Sequence, residues 1–180
     1  MSRYDFCLCM GRFQPFHWGH WDLVQASLEH GNQVIILIGS HCRSPTHKNP
    51  WSSEERSQMI RLCLTPSEQA RVQMVPICDC ETNEEWASII RSKVYAIADM
   101  SHKIAIAGHH DGGPDFFAKW FPDWAYIEKL RRPNLNATDI RMAYFGRLPE
   151  THYEHKLPAG TLQYLRAFKA QSTYRQLCRD

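Results

Sequence analysis

The 180-residue sequence has no apolar run near the roughly 18 residues that a membrane-spanning helix needs, so no membrane partner is expected. Its first residues, MSRYDF, lack the apolar stretch of a secretory signal. Charge of one sign is scarce too. Lys and Arg number 21 against 19 Asp and Glu, a formal net charge of +2. Proteins that bind nucleic acid by counterion release usually carry a basic stripe, so no nucleic-acid partner is expected either. Internal repeats, low-complexity tracts and a clear linker are all missing. Residues 1–180 are therefore read as a single domain, with residues 150–180 as a C-terminal helical extension.

Zinc-type cysteine spacing is also lacking. The seven cysteines, Cys7, Cys9, Cys42, Cys63, Cys78, Cys80 and Cys178, include no pair of C-x₂₋₄-C units with matching partners. An odd count without a signal peptide predicts reduced, structural thiols and a cytoplasmic protein. The two Cys-x-Cys pairs sit at the ends of apolar runs, where a spacing of two puts both thiols on one face of a strand.

What is present is enough apolar material for an ordinary core: 43% hydrophobic residues, 12% aromatic. Residues 4–10, 33–39, 72–77 and 103–108 are short, apolar-rich runs. Such runs suit strands covered on both faces of a parallel sheet. Between them, residues 19–30, 53–64 and 84–99 carry apolar residues at three- and four-residue spacing, as amphipathic helices do. Ser52 followed by Glu55 forms a capping-box pattern at the start of the second. Residues 115–129 read as a short helix, a Pro turn and a strand. Asn136 reads as the cap of a helix reaching Tyr144, and the tail from Leu157 has helical spacing and is expected to pack back on the sheet. Alternation of this kind implies right-handed βαβ units and an open α/β sheet.

In such sheets ligands bind beyond the carboxyl ends of the strands. The stretch GRFQPFHWGH, residues 11–20, lies where the first strand hands over to the first helix. It matches neither G-x-G-x-x-G nor G-x-x-x-x-G-K-[ST], so any phosphate cradle there must use side chains. Gly11 lets the backbone approach a ligand, and the helix start offers free N–H groups. His17 and His20, three apart on a first helical turn, share a face, with Gly19 between them to leave room for a phosphate. Taken alone, H-x-G-H is equally a pair of capping or surface histidines.

GRFQPFHWGH resembles the signature of the H-x-G-H nucleotidyltransferases. The GRFQPFH form is similar to nicotinamide-nucleotide adenylyltransferase of the archaeal type, found also as the first domain of bifunctional proteins carrying a Nudix hydrolase. RSPTHKNPWSSEER (43–56), PICDCETNEEW (76–86) and LNATDIR (135–141) resemble three further segments of that family, so the likeness spans nearly the whole chain. It implies a Rossmann-like open parallel sheet with helices on both faces and C-terminal helices packed on it. One segment departs. AGHHDGGPDFFAKWFP (107–122) lacks the Lys and the Ser-Ser that usually stand there; Gly112, Gly113, Pro114 and Asp115 occupy that region.

The reaction the resemblance implies is attack of the 5′-phosphate of nicotinamide mononucleotide on the α-phosphorus of ATP, giving NAD and pyrophosphate. Mg²⁺ would enter with ATP, bridging its phosphates. The resemblance points to His17, His20, Lys48 and Arg141 as catalytic. It places Gly11, Arg12, Phe13, His17, His20, Gly108, His109, Asn136, Thr138 and Arg141 on ATP, and Arg12, Gln14, Asn49, Trp51, Asp79 and Trp86 on the nicotinamide nucleotide. The chemistry suits those types. Imidazole N–H groups donate to phosphate oxygens, a lysine steadies leaving pyrophosphate, and an indole face attracts a pyridinium. Plainer readings stand beside these: Lys48 as a solvated loop residue, Thr138-Asp139-Ile140-Arg141 as an ordinary helix start, Trp86 as core. Two other functions also remain open. One is adenylyl transfer to another phosphorylated acceptor, such as phosphopantetheine or riboflavin phosphate. The other is a non-catalytic NAD or ATP sensor. A homo-oligomer is expected, since the family commonly forms oligomers.

Overall fold

The structure is a computed structural model, in which residues 3–43, 45–109 and 113–178 are described. Five strands form one sheet: β1 (Tyr4–Gly11), β2 (Gly31–Ile38), β3 (Val72–Pro76), β4 (Ile104–His109) and β5 (Ala125–Lys129). All pair in parallel, in the order β3-β2-β1-β4-β5. The chain steps outward from β1 to β3, then crosses back to lay β4 on the far side of β1. The direction of winding therefore reverses between β1 and β4, and the crevice beyond their carboxyl ends is the place such a sheet offers a ligand.

Helices cover both faces, as the resemblance implies. On one face α1 (Trp18–His30), α2 (Ser53–Arg61), α6 (Ala137–Phe145), α7 (Ala159–Phe168) and α8 (Ser172–Leu177) share an apolar cluster with Cys7, Cys9, Val34 and Ile36 of the sheet. On the other, α4 (Asn83–Tyr95) packs Ala87, Ile90 and Val94 against Leu8, Ile35 and Ile106. The short α3 (Pro66–Gln69) follows α2, and α5 (Gly113–Trp120) precedes β5. The C-terminal helices join the first cluster, with α7 lying against α2.

The helix starts follow the local chemistry. Glu55 N–H donates to Ser52 Oγ (3.2 Å) while Ser52 N–H donates to Glu55 Oε2 (2.8 Å), the reciprocal box expected from the sequence. Asn136 caps α6 by accepting from Asp139 N–H at 2.9 Å. The expected helix over 53–64 stops at Arg61, and Thr65 caps the separate turn α3 with its own reciprocal box to Glu68.

The cysteines are not all the reduced thiols that their count predicts. Cys7 and Cys9 are buried on one face of β1 as expected, and burial pushes their thiols up to about 11 and about 12. Cys42 and Cys78, however, form a disulfide with a Cα–Cα distance of 5.2 Å. β2 and β3 are adjacent and parallel, so the segments leaving their carboxyl ends run side by side and bring together cysteines 36 residues apart. The remaining five are free.

Candidate active site

The carboxyl ends of β1, β2, β3 and β4 form one rim, and a row of cavities lies along it. A cleft of about 320 Å³ lies over β1, β4 and the start of α1, lined by His17, His20, His109, Arg131 and Asn136 among others. Met10 joins it to a cavity of about 350 Å³ floored by Leu37, Ile77 and Ile90, with Arg12, Asp79 and Trp86 on its walls. Arg12, Ser40 and Asp79 in turn face a cationic cavity of about 560 Å³ that holds Arg43, Lys48 and Asn49. Lys48 finally opens onto a fourth, of about 500 Å³, with His47, Thr138 and Arg141.

His17 is the N-cap of α1 and His20 its third residue. Their rings stack, with centroids 3.7 Å apart and planes 17° from parallel. The backbone N–H of His17 donates to His20 Nδ1 at 3.3 Å. That nitrogen must carry its lone pair, so the proton of the neutral ring sits on Nε2 and is its one donor. Burial, then the neighbouring His17 and His109, hold His20 well below the usual histidine range. Burial likewise lowers His17 to about 4, and its Nδ1 is buried without a partner among the described residues. Both rings are therefore neutral donors at physiological pH, and an oxygen-rich ligand would satisfy them. Gly19 lines the same cleft, and a Cβ there would lie 3.2 Å from the His17 imidazole.

Across the cleft, a Cβ on Gly108 would fall 2.6 Å from the Tyr126 hydroxyl, which donates to the His109 carbonyl at 2.7 Å. That carbonyl is thus engaged by the protein, and the His109 ring lines the cleft instead. Arg141 donates to the carbonyls of His47 (3.0 Å) and Gln14 (2.6 Å) and to Thr138 Oγ1 (3.2 Å). Three of its five N–H groups are so used, and two remain for a phosphate. Partial burial and the charge of Arg12 lower its pKa. Asn136, expected at the phosphates, is committed to its cap but still faces the first cleft.

In the second cavity Asp79 accepts from Ser40 Oγ and from Arg43 Nε, both at 2.9 Å. Its slight burial favours the neutral form, but those two bonds and the charges of Arg43 and Arg12 outweigh it and lower the pKa. Trp86 is half-buried against Phe116 and Phe121, each with centroids 5.8 Å away. Asn49 lies on the cationic cavity, with its Oδ1 buried and unpartnered among the described residues.

Three expected ligand contacts are placed elsewhere. Phe13 is buried, its ring edge-on to His20 at 4.9 Å, so it supports that imidazole from behind. Trp51 is in the core against Phe145 and Phe168, not on the rim, because residues 50–53 turn inward to start α2. Gln14 is consumed by Trp51: its Oε1 accepts from the Trp51 N–H (3.1 Å) and its Nε2 donates to the Trp51 carbonyl (2.8 Å). Of the departing segment, His110, Asp111 and Gly112 lie outside the described residues, while Pro114 and Asp115 fall in α5.

Arg56, the last residue of the 43–56 stretch, lines none of these cavities but positions their walls. It is fully buried, and its guanidinium donates to the carbonyls of Arg12 (2.6 Å), Gly39 (2.6 Å) and Ser40 (3.4 Å), while Nε donates to that of Ser52 (3.0 Å). It ties the ends of β1 and β2 to α2. Burial lowers its pKa to about 10, which leaves it charged. A buried charge of this kind is tolerable because carbonyl oxygens accept its hydrogen bonds and the charges of Glu54, Asp79 and Glu55 lie near it.

Residues 8–143 match the cytidylyltransferase-like family. The chain is 32% identical over 179 residues to the nicotinamide/nicotinic acid mononucleotide adenylyltransferase of Acinetobacter baylyi, covering 98% of this chain and 93% of that one. It is 26% identical over 174 residues to the nicotinamide-nucleotide adenylyltransferase of Thermococcus kodakarensis, covering 94% and 87%. Among solved structures it superposes with a TM-score of 0.86 and 30% identity on a bifunctional NMN adenylyltransferase/ADP ribose pyrophosphatase from Francisella tularensis, crystallised with AMP and a manganese ion. That match covers 98% of this chain and 52% of the Francisella protein, so the chain spans about half of it.

Proposed function

The chain belongs to the cytidylyltransferase-like family, and from that premise we propose that it is a nucleotidyltransferase that moves the adenylyl group of ATP onto nicotinamide mononucleotide, giving NAD and pyrophosphate. The observation that carries this reading is the adjacency of two unlike cavities at one strand end. The histidine-lined cleft suits a phosphate-bearing nucleotide, and the apolar cavity with Trp86 and Asp79 suits a flat cationic ring and its ribose.

In this reading ATP lies in the first cleft, with its α-phosphate at the His17–His20 pair. The 5′-phosphate of the acceptor is drawn toward it by Arg12 and Lys48. An oxygen of that phosphate forms a bond to the α-phosphorus as the bond to the β-phosphate oxygen breaks, and pyrophosphate leaves toward Lys48, Thr138 and Arg141. The attacking oxygen belongs to the acceptor, so the transfer needs no nucleophile from the chain. Its residues hold the two phosphates in line and donate hydrogen bonds where charge builds up, which is where most of the rate in such transfers arises. Neutral imidazoles suit that task, because they donate without surrendering a proton. Mg²⁺ enters as part of the substrate, MgATP. Among the described residues no three His, Cys, Asp or Glu side chains group to hold a metal, and the one carboxylate on the cationic cavity, Asp79, is paired with Arg43. The ion's ligands would be phosphate oxygens and water.

A panel of acceptors with MgATP tests the reading: nicotinamide mononucleotide, phosphopantetheine and riboflavin phosphate, scored for pyrophosphate release and for the joined product. Turnover is expected with nicotinamide mononucleotide. Turnover only with another acceptor, or tight NAD binding with no turnover of any, would refute it.

A further inference from the structure

We propose that Arg43 sets which pyridine ring the acceptor cavity admits, and that it lets the protein use a nucleotide bearing a ring carboxylate as well as one bearing a carboxamide. The inference rests on the reading that this cavity holds a pyridine mononucleotide. The ionisable side chains on its wall are Arg12 and Asp79. Asp79 is held ionised, with Ser40 on Oδ1 and Arg43 on Oδ2. A carboxylate there accepts from the N–H groups of a carboxamide but repels a ring carboxylate.

Arg43 changes that balance. Its Nε pairs with Asp79 and offsets the negative charge, while its two Nη nitrogens have no protein partner among the described residues. Arg43 also lines the cationic cavity next door, which shares Asp79, Ser40 and Arg12 with the acceptor cavity. Its guanidinium can therefore hold Asp79 with one edge and receive a second carboxylate with its free Nη groups, as the fork geometry of arginine allows. The Cys42–Cys78 disulfide joins the residues immediately before Arg43 and Asp79, so the pair is placed by a covalent tie. Stability does not account for the pair, since the Arg43 side chain is 60% exposed and ion pairs so exposed contribute little.

The test is kcat/KM for nicotinamide mononucleotide and nicotinic acid mononucleotide, with saturating MgATP, in the wild type, Arg43→Ala and Arg43→Gln. The wild type is expected to use both. Both variants are expected to lower the acid-to-amide ratio by about fivefold or more, through KM for the acid, the scale of one charge contact near a wet surface. An unchanged melting temperature, expected for a side chain so exposed, will exclude a folding defect. The proposal fails if the wild type uses the amide but not the acid, if either variant leaves the ratio within about twofold of wild type, or if both substrates suffer equally. Failure of the functional reading has a different signature: the wild type would turn over neither nucleotide.

Discussion

Lowering the pH should destabilise this protein through His17 in particular, by an amount that can be worked out. Burial holds that imidazole at about 4 in the folded chain, against about 6.5 when the chain is unfolded. Between those values the unfolded state binds more protons, so stability falls as pH falls. The contribution is fully present above about pH 6.5 and is lost progressively down to about pH 4. Each pKa unit corresponds to about 1.36 kcal/mol, so the whole shift is worth about 3 kcal/mol, and about 2 kcal/mol of it is gone at pH 5. His20 is depressed as well and acts in the same direction. The variant that isolates His17 is His17→Asn, because Asn is a good N-cap and cannot titrate. Urea unfolding of both proteins at pH 7.5 and pH 5 gives the four free energies required. The gap between wild type and variant should close, or swing toward the variant, by about 2 kcal/mol on going to pH 5. A gap constant to within about 0.5 kcal/mol would mean that the imidazole is not held neutral by burial. The two rings would then not both be neutral donors.

Three further outcomes are expected. His20→Ala should lower kcat by about a hundredfold or more, the usual loss when a preorganised donor to a reacting phosphate is removed; a kcat within about threefold of wild type would refute its role. Trp86→Ala should raise KM for the nicotinamide nucleotide and leave KM for ATP nearly unchanged, since Trp86 lines the acceptor cavity and not the histidine cleft; a KM rise confined to ATP would contradict that placement. Titration of the denatured, unreduced protein should find five thiols, rising to seven after reduction; seven at the outset would show that Cys42 and Cys78 are not joined.

Local sequence pattern specifies the strand–helix alternation, the caps at Ser52 and Asn136, and the placing of His17 and His20 at a strand end. Each of these is written in a local pattern: apolar period, a cap residue three before its partner, two histidines one turn apart. What it did not determine was which way those side chains are used. Phe13, Gln14 and Trp51 belong to segments that resemble binding motifs, yet all three turn inward. Burying a ring and satisfying the Trp51 backbone are demands of packing that no short window expresses. Arg43 and Arg56 bound the stretch 43–56, but nothing in that stretch says what their guanidinium groups touch. The worth of Arg56 lies in carbonyls 16, 17 and 44 residues away, and Arg43 matters through Asp79, 36 residues on. The Cys42–Cys78 pairing belongs to the same class. All depend on which strands end side by side, and that order is decided by the parallel winding of the sheet, where β4 returns to flank β1 and opens the crevice between them.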